Sequence, residues 1–256
     1  MWEAEFMKSL KKLSALNVVV EFSGFRAVDD VSLDIEAQGL VCLIGPNGAG
    51  KTTMLDCICG KTQNKSGGIF LDGNDISAVP EFRRSRLGIG RKFQTPSVFD
   101  GLTVAQNIWV SLRKETDPFS NLGNFYLSMD EEWVAGVSEM LGLGRLLGKK
   151  AEYLSHGQRQ WLEIAMVVAQ SPSIILMDEP AAGMTSSEKL KTAEIFNSLK
   201  KSHSLIVVDH DMSFVRDIAD HVVVMHQGKI LAEGTVEEIS KDESVKSAYL
   251  GSKGLG

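Results

Sequence analysis

Leu40-Val-Cys-Leu-Ile-Gly45-Pro-Asn-Gly-Ala-Gly-Lys51-Thr52-Thr53 begins as an apolar run and ends on a glycine-rich, cationic turn. The run from Leu40 to Ile44 is short and bounded by glycine, which predicts a buried strand. A helix is predicted from Lys51 to about Cys59. The turn between them, Gly45 to Thr52, fits G-x-x-x-x-G-K-[ST] in the required strand–turn–helix setting. Gly45, Gly48 and Gly50 free the backbone to point N–H groups inward around phosphate oxygens, with Asn47 and Thr53 in the same wrap. The helix N-terminus adds a favourable dipole. Lys51 supplies a compact positive charge for the outer phosphates, and Thr52 a hydroxyl for Mg²⁺. A glycine-rich turn without a ligand is the plain alternative, and the flanking elements count against it.

A second stretch strengthens the first. Ser173-Ile-Ile-Leu-Met-Asp178-Glu179-Pro180 delivers two acids from an apolar strand to the carboxyl edge of a sheet, where ligands of open α/β folds bind. Asp178 is suited to hold the water shell of Mg²⁺ and Glu179 to polarise an attacking water. Alone such a pair is weak, because acids often begin helices. Guanine recognition would need an N-K-x-D box; Asn64-Lys65-Ser66-Gly67 lacks its carboxylate, which favours adenine and hence ATP.

Composition narrows the class. The chain has 256 residues, with 27 Lys+Arg against 33 Asp+Glu and a net charge of -6. That acidity argues against a nucleic-acid partner. With 43% hydrophobic and 23% charged residues it reads as an ordinary folded chain. Its apolar runs fall well short of a membrane span. Cys42, Cys57 and Cys59 make no disulfide framework, and Cys57-x-Cys59 has no nearby ligand pair, so they read as small buried side chains in a reducing cytoplasm.

Further elements follow from pattern. Asn17–Phe22 and Val31–Ile35 are β-rich, Ile69–Leu71 runs into the turn Asp72-Gly73, and Leu87–Phe93 reads as a strand. The stretch from Thr95, through about 165 at its widest, reads as an inserted helical subdomain, with its least ordered part at Thr116–Ser128. Ile174–Met177 and Leu205–Val208 are buried strands entered from helices; a hairpin around Gln227-Gly228 and a helical stretch Val236–Leu250 end the chain. The fold expected is α/β: a P-loop NTPase core with a mostly parallel sheet, an N-terminal antiparallel β subdomain and the helical insert. Residues 1–15 are expected to be an N-terminal extension and 16–256 a single cassette.

Leu154-Ser155-His156-Gly157-Gln158, twenty residues before the acid pair, resembles the L-S-G-G-Q signature of ABC transporter ATP-binding subunits. The resemblance extends from about Leu16 to Leu250. It implies that Phe22 stacks on adenine and that Gln94 senses Mg²⁺ and the attacking water. It implies that Ser155, Gly157 and Gln158 contact the γ-phosphate of ATP held by an opposite subunit, and that His210 contacts the γ-phosphate as a switch. Asp178 becomes the metal-holding acid and Glu179 the catalytic one. A homodimer or heterodimer with a second ATPase is implied, together with permease subunits and, indirectly, a periplasmic binding protein, at the cytoplasmic face of the inner membrane.

Two positions depart from the family pattern. His156 stands at a signature glycine, where its imidazole either points away or adds a pH-dependent donor. Thr185 stands where the family usually has Asp, an acid that helps link the two ATP sites. Pro180-Ala-Ala-Gly183-Met184 resembles the branched-chain amino-acid importer ATPases. Gly157-Gln158-Arg159-Gln160-Trp161-Leu162-Glu163, with His156 before it, and Gly60-Lys61-Thr62 resemble those of urea importers, so urea or a short-chain amide is the expected solute. Branched-chain amino acids are the alternative, and lipid or lipopolysaccharide export is a more distant one.

Overall fold

The computed structural model describes residues 11–92, 98–112 and 131–251. Strands β1 (Leu13–Phe22) and β2 (Phe25–Ile35) form an antiparallel hairpin across Ser23-Gly24, both at positive φ. That geometry suits the right-handed twist of a tight hairpin. The expected β runs are therefore parts of longer strands. Charged Arg26, Asp29 and Asp30 hid the first half of β2 from a hydrophobicity reading, and register shifts in β1 broke its alternation. The boundary expected at residue 16 is also corrected: Leu13, Ser14 and Ala15 already pair with β2. Leu13 and Ala15 are fully buried, so two residues assigned to an extension belong to the core.

Strand β3 (Gly39–Ile44) leads into helix α1 (Lys51–Cys59). Strands β4 (Ser66–Leu71) and β5 (Asn74–Asp75) meet at Asp72-Gly73 and complete a four-stranded sheet of order β2-β1-β4-β5. Helix α2 (Glu81–Arg86) carries Arg84, whose buried guanidinium donates to the Cys57, Ile58, Ser77 and Val79 carbonyls. A cation there satisfies the end carbonyls of α1 and the negative pole of its dipole.

Strands β6 (Ile89–Lys92), β7 (Ile174–Asp178), β8 (Ser204–Val208), β9 (His221–His226) and β10 (Lys229–Gly234) join β3 in a second sheet. Its order is β10-β9-β3-β8-β7-β6, parallel except at the β9–β10 hairpin. Alternate residues face opposite cores, as a pleated strand requires. Leu40, Cys42, Ile44, Ile175, Met177, Leu205 and Val207 face the helical side. Leu43, Ile174, Leu176, Ile206 and Val208 face α1 and the antiparallel sheet. Because both faces are covered, these strands read as continuous apolar runs.

The helical insert contains α3 (Val104–Ser111), α4 (Glu131–Met140) and α5 (His156–Val168). The segment expected to be least ordered, Thr116–Ser128, lies outside the described residues. Helix α6 (Ser186–Leu199) packs beside α5, with the Trp161 indole N–H donating to Thr192 Oγ1 at 2.9 Å. Helices α7 (Met212–Ile218), α8 (Val236–Lys241) and α9 (Glu243–Gly251) complete the chain. The stretch expected to be one terminal helix is two, because Asp242 adopts an extended conformation with ψ 120°. Its Oδ1 accepts from the Ser244 and Val245 N–H groups.

Two buried groups make the fold sensitive to charge. Lys92, at the end of β6, pairs with Glu163 of α5 at 3.0 Å, both 5% exposed. Removing one partner strands the other charge. Lys92→Met is therefore expected to cost about 3 kcal/mol in denaturant unfolding, and Lys92→Met with Glu163→Met to recover most of it. An unchanged single variant would show that the pair contributes nothing. His203, 1% exposed, is held down to about 4 by burial, below its ordinary value of 6.5. The unfolded chain thus binds the proton first. Its contribution is complete above about pH 6.5 and is lost as pH falls towards 4, by roughly 3 kcal/mol. His203→Phe is expected to flatten the stability–pH curve in that window.

Candidate functional site

The carboxyl ends of β3, β8 and β7 lie side by side, because those strands are adjacent and parallel. The loop after β3 wraps tightly. A Cβ on Gly45 would lie 2.1 Å from the Met225 carbonyl oxygen, and one on Gly50 2.4 Å from that of Ala27. Both also have positive φ, 144° and 101°. Gly48 differs: its φ is 78° and nothing crowds it, so glycine serves conformation alone there. Helix α1 starts at Gly50 with no side-chain cap and no acid in its first turn, so its N–H groups are left for an anion. Lys51 Nζ donates to the Gly45 and Pro46 carbonyls at 2.8 and 2.9 Å, which arches the loop over the ammonium. Burial lowers its pKa, while Asp178 and Glu179 act to raise it.

Asp178 ends β7 and is 2% exposed. Burial pushes its pKa up, against the Thr52 hydroxyl that donates to it and the field of Arg91. Its Oδ2 is buried and has no hydrogen-bond partner among the described residues. An orphaned carboxylate oxygen beside a threonine hydroxyl is the donor chemistry a hard cation such as Mg²⁺ takes. Thr52 and Asp178 therefore fit the expected metal. Gln94, expected beside them, lies outside the described residues.

Glu179 follows with φ 48°, a left-handed conformation unusual for a non-glycine residue. Its N–H donates to the Val208 carbonyl at 2.8 Å, which fixes the turn. Strain of this kind concentrates at functional sites. Its Oε1 lies 3.5 Å from His210 Nδ1. His210 stands where it does because buried Asp209 accepts from the His210 and Asp211 N–H groups at 2.7 and 3.0 Å.

Lys51, Thr52, Asp178 and Glu179 line one cavity of about 440 Å³, whereas His210 does not line it and reaches the site only through Glu179. Asn47 to Thr53 form its floor, Asp178 and Glu179 one side, and the β1–β2 hairpin the other. Phe22 lines it, 50% exposed, and so does Phe25, 68% exposed, which the sequence reading missed. The available signal was an aromatic residue on each side of a two-residue turn. The hairpin thus offers two exposed rings to a flat base, while the loop offers donors to phosphates.

Ser155, Gly157 and Gln158 do not line this cavity. They open α5 instead, where the Ser155 hydroxyl accepts from the Gln158 N–H at 3.2 Å and Gln158 Oε1 accepts from the Ser155 N–H at 3.1 Å. The signature is thus also a capping box, with Ser155 and His156 exposed and Gly157 buried beneath Glu188. His156 turns its ring to the Ala182 carbonyl rather than to the cavity. Cys42, Cys57 and Cys59 are free and buried, and no cluster of metal-ligating side chains occurs among the described residues.

Comparisons with known proteins agree with this geometry. Residues 28–182 match the ABC transporter family, and residues 229–254 the branched-chain amino acid ATP-binding cassette transporter family. The chain is similar to the high-affinity branched-chain amino acid transport ATP-binding protein BraF of Pseudomonas aeruginosa, 35% identical with 93% of this chain and 97% of that protein covered. It is 33% identical to the lipopolysaccharide export system ATP-binding protein LptB of Haemophilus influenzae, again over 93% and 97%. Among solved structures, the ADP conformation of an ATP-binding cassette of an ABC transporter superposes with a TM-score of 0.82, at 29% identity and 95% and 100% coverage. A phosphate loop, an acid pair and an outward-facing signature on this fold make the chain a member of the ABC transporter family, an ATP-hydrolysing subunit of the branched-chain amino-acid importer branch.

Proposed function

We propose that the cavity binds ATP with Mg²⁺ and that its hydrolysis drives an importer through a second cassette. The observation that carries this reading is the meeting of Lys51, Asp178 and Glu179 in one cavity whose walls lack Ser155, Gly157 and Gln158. Phe22 and Phe25 hold the adenine. The loop N–H groups from Asn47 to Thr53 and the Lys51 ammonium hold the phosphates. Thr52 and Asp178 would hold the metal, which would neutralise charge on the outer phosphates, and Gln94 is the residue expected to sense it. Glu179 accepts a proton from the attacking water as the water oxygen bonds to the γ-phosphorus and the bond to the ADP oxygen breaks. His210 steadies Glu179 and the γ-phosphate. The opposite cassette contributes its own signature serine, glycine and glutamine to that phosphate. The bound state then closes two chains head to tail and hydrolysis releases them.

The second cassette is a copy of this chain or a sister subunit. Permease subunits dock on the helical insert at the cytoplasmic face of the inner membrane, and a periplasmic binding protein acts through them. Among the described residues no helix is long and apolar enough to cross a membrane. The match at 229–254 and the likeness to BraF favour branched-chain amino acids over urea as the solute, and import over lipid export. The urea reading rests on residues 156–163 and 60–62; within the first stretch Trp161 bonds Thr192 and Glu163 pairs with Lys92. That use is independent of any solute.

Glu179→Gln is expected to lower turnover by about 100-fold or more while ATP still binds, so that ATP-loaded pairs accumulate on size exclusion. Near-normal turnover would remove Glu179 from the chemistry. Lys51→Ala is expected to weaken ATP binding by about tenfold or more in calorimetry, and unchanged affinity would refute the phosphate role. In vesicles carrying the permeases, solute-stimulated hydrolysis is expected with leucine, isoleucine or valine. Stimulation by urea alone would replace the solute assignment and leave the ATPase reading intact.

A further inference from the structure

The two departures from the family pattern meet in space. His156 is the first residue of α5, and its Nε2 lies 3.0 Å from the Ala182 carbonyl oxygen. A carbonyl can only accept, so Nε2 carries the proton. Ala182 belongs to the tight turn that begins at Glu179, whose carbonyl accepts the Ala182 N–H at 3.2 Å. The next residue, Gly183, has φ 72°, and a Cβ there would stand 2.9 Å from the His156 Nε2. Glycine at 183 is what lets the ring reach the turn.

A second tie runs beside the first. Thr185 caps α6, and its N–H and hydroxyl donate to Glu188 Oε2 at 3.0 and 2.9 Å. Thr185, and to a smaller extent His156 and Ser155, hold the Glu188 carboxyl below its ordinary value. A Cβ on Gly157 would fall 2.2 Å from Glu188 Oε1, so the bare backbone of the signature makes room for this carboxylate. An aspartate at 185 would set a second carboxylate against Glu188 where the threonine hydroxyl now donates. Threonine therefore suits this tie, while both residues make good helix caps.

We propose that His156 is a positioning residue, which fastens the signature end of α5 to the turn leaving Glu179, with Glu188, held by Thr185 and seated against Gly157, as its second strand. On the two-cassette reading above, on which this rests, Ser155 serves the neighbour's ATP and Glu179 serves this chain's own. The latch makes the two sites move as one piece. Histidine would thus supply, within one chain, coupling that the missing acid at 185 does not.

The test uses the full chain, alone and in Mg²⁺-dependent ATP hydrolysis with its partner ATPase. In histidine-¹⁵N-labelled protein without nucleotide, His156 is expected as a single Nε2–H tautomer. His156→Gly is expected to lower kcat about fivefold, as for one hydrogen bond. It is also expected to lower the Hill coefficient for ATP towards 1, with ATP affinity of the isolated chain unchanged. His156→Gln, which keeps a donor, is expected to restore kcat to within about twofold, a recovery that repacking alone would not produce. A ring protonated at Nδ1 or averaging between tautomers, or wild-type rate and cooperativity in His156→Gly, would overturn the latch. The tautomer measurement needs no nucleotide, so it separates failure of the latch from failure of the two-cassette reading, which Glu179→Gln and Lys51→Ala address.

Discussion

The structure depends on how closely the backbone between β3 and α1 is pressed against its neighbours. Gly45 lies against the Met225 carbonyl of the β9 strand and Gly50 against the Ala27 carbonyl of the β1–β2 hairpin. A single Cβ at either position would collide with backbone that cannot move without disturbing a sheet. The loop is thereby clamped between two sheets and its N–H groups are turned to one side. Electrostatic binding of phosphate needs donors held in place before the ligand arrives. Here that order comes from the close packing of glycine together with the Lys51 ammonium that the Gly45 and Pro46 carbonyls hold.

The same sheet edge organises the acids. Asp178 and Glu179 emerge between strands fixed by parallel registers on both sides, and the left-handed turn at Glu179 sends consecutive carboxylates to different tasks. Asp178 is retained in the interior with an unsatisfied oxygen, while Glu179 is exposed beside His210. A buried carboxylate without a full set of partners is unfavourable for folding alone. Its presence is understandable where a cation is to complete it. The signature helix obeys the opposite logic. Its apolar length is buried from Trp161 to Val168, and Ser155 and His156 at its capped end are exposed.

Much of this was legible in the sequence because the site is built from local segments. The phosphate loop, the acid pair and the signature each form within a few residues, and each has a pattern tied to its chemistry. The apolar runs of β3, β7 and β8 announced a doubly covered sheet. What stayed hidden were relations between distant segments. Phe25 gave no local sign that it would share a cavity with Asn47. The charged start of β2 concealed a strand whose pairing partner, not its hydrophobicity, defines it. Leu13 to Ala15 looked like a leader until β1 paired them. Asp209 gave no hint that it anchors the turn holding His210.

The sequence by itself determined the chemistry: a lysine and threonine after a glycine turn, adjacent acids after an apolar strand, and a signature whose serine and glutamine form a capping box. Residue type and spacing suffice there, because the physical requirement spans only a turn or a strand end. Tertiary structure alone decided which of these groups share a cavity and which look outward, and that His156 turns to Ala182 instead of to the nucleotide cavity. Those outcomes rest on strand order and on clearances of a few ångströms between segments far apart in the chain, which no local pattern encodes.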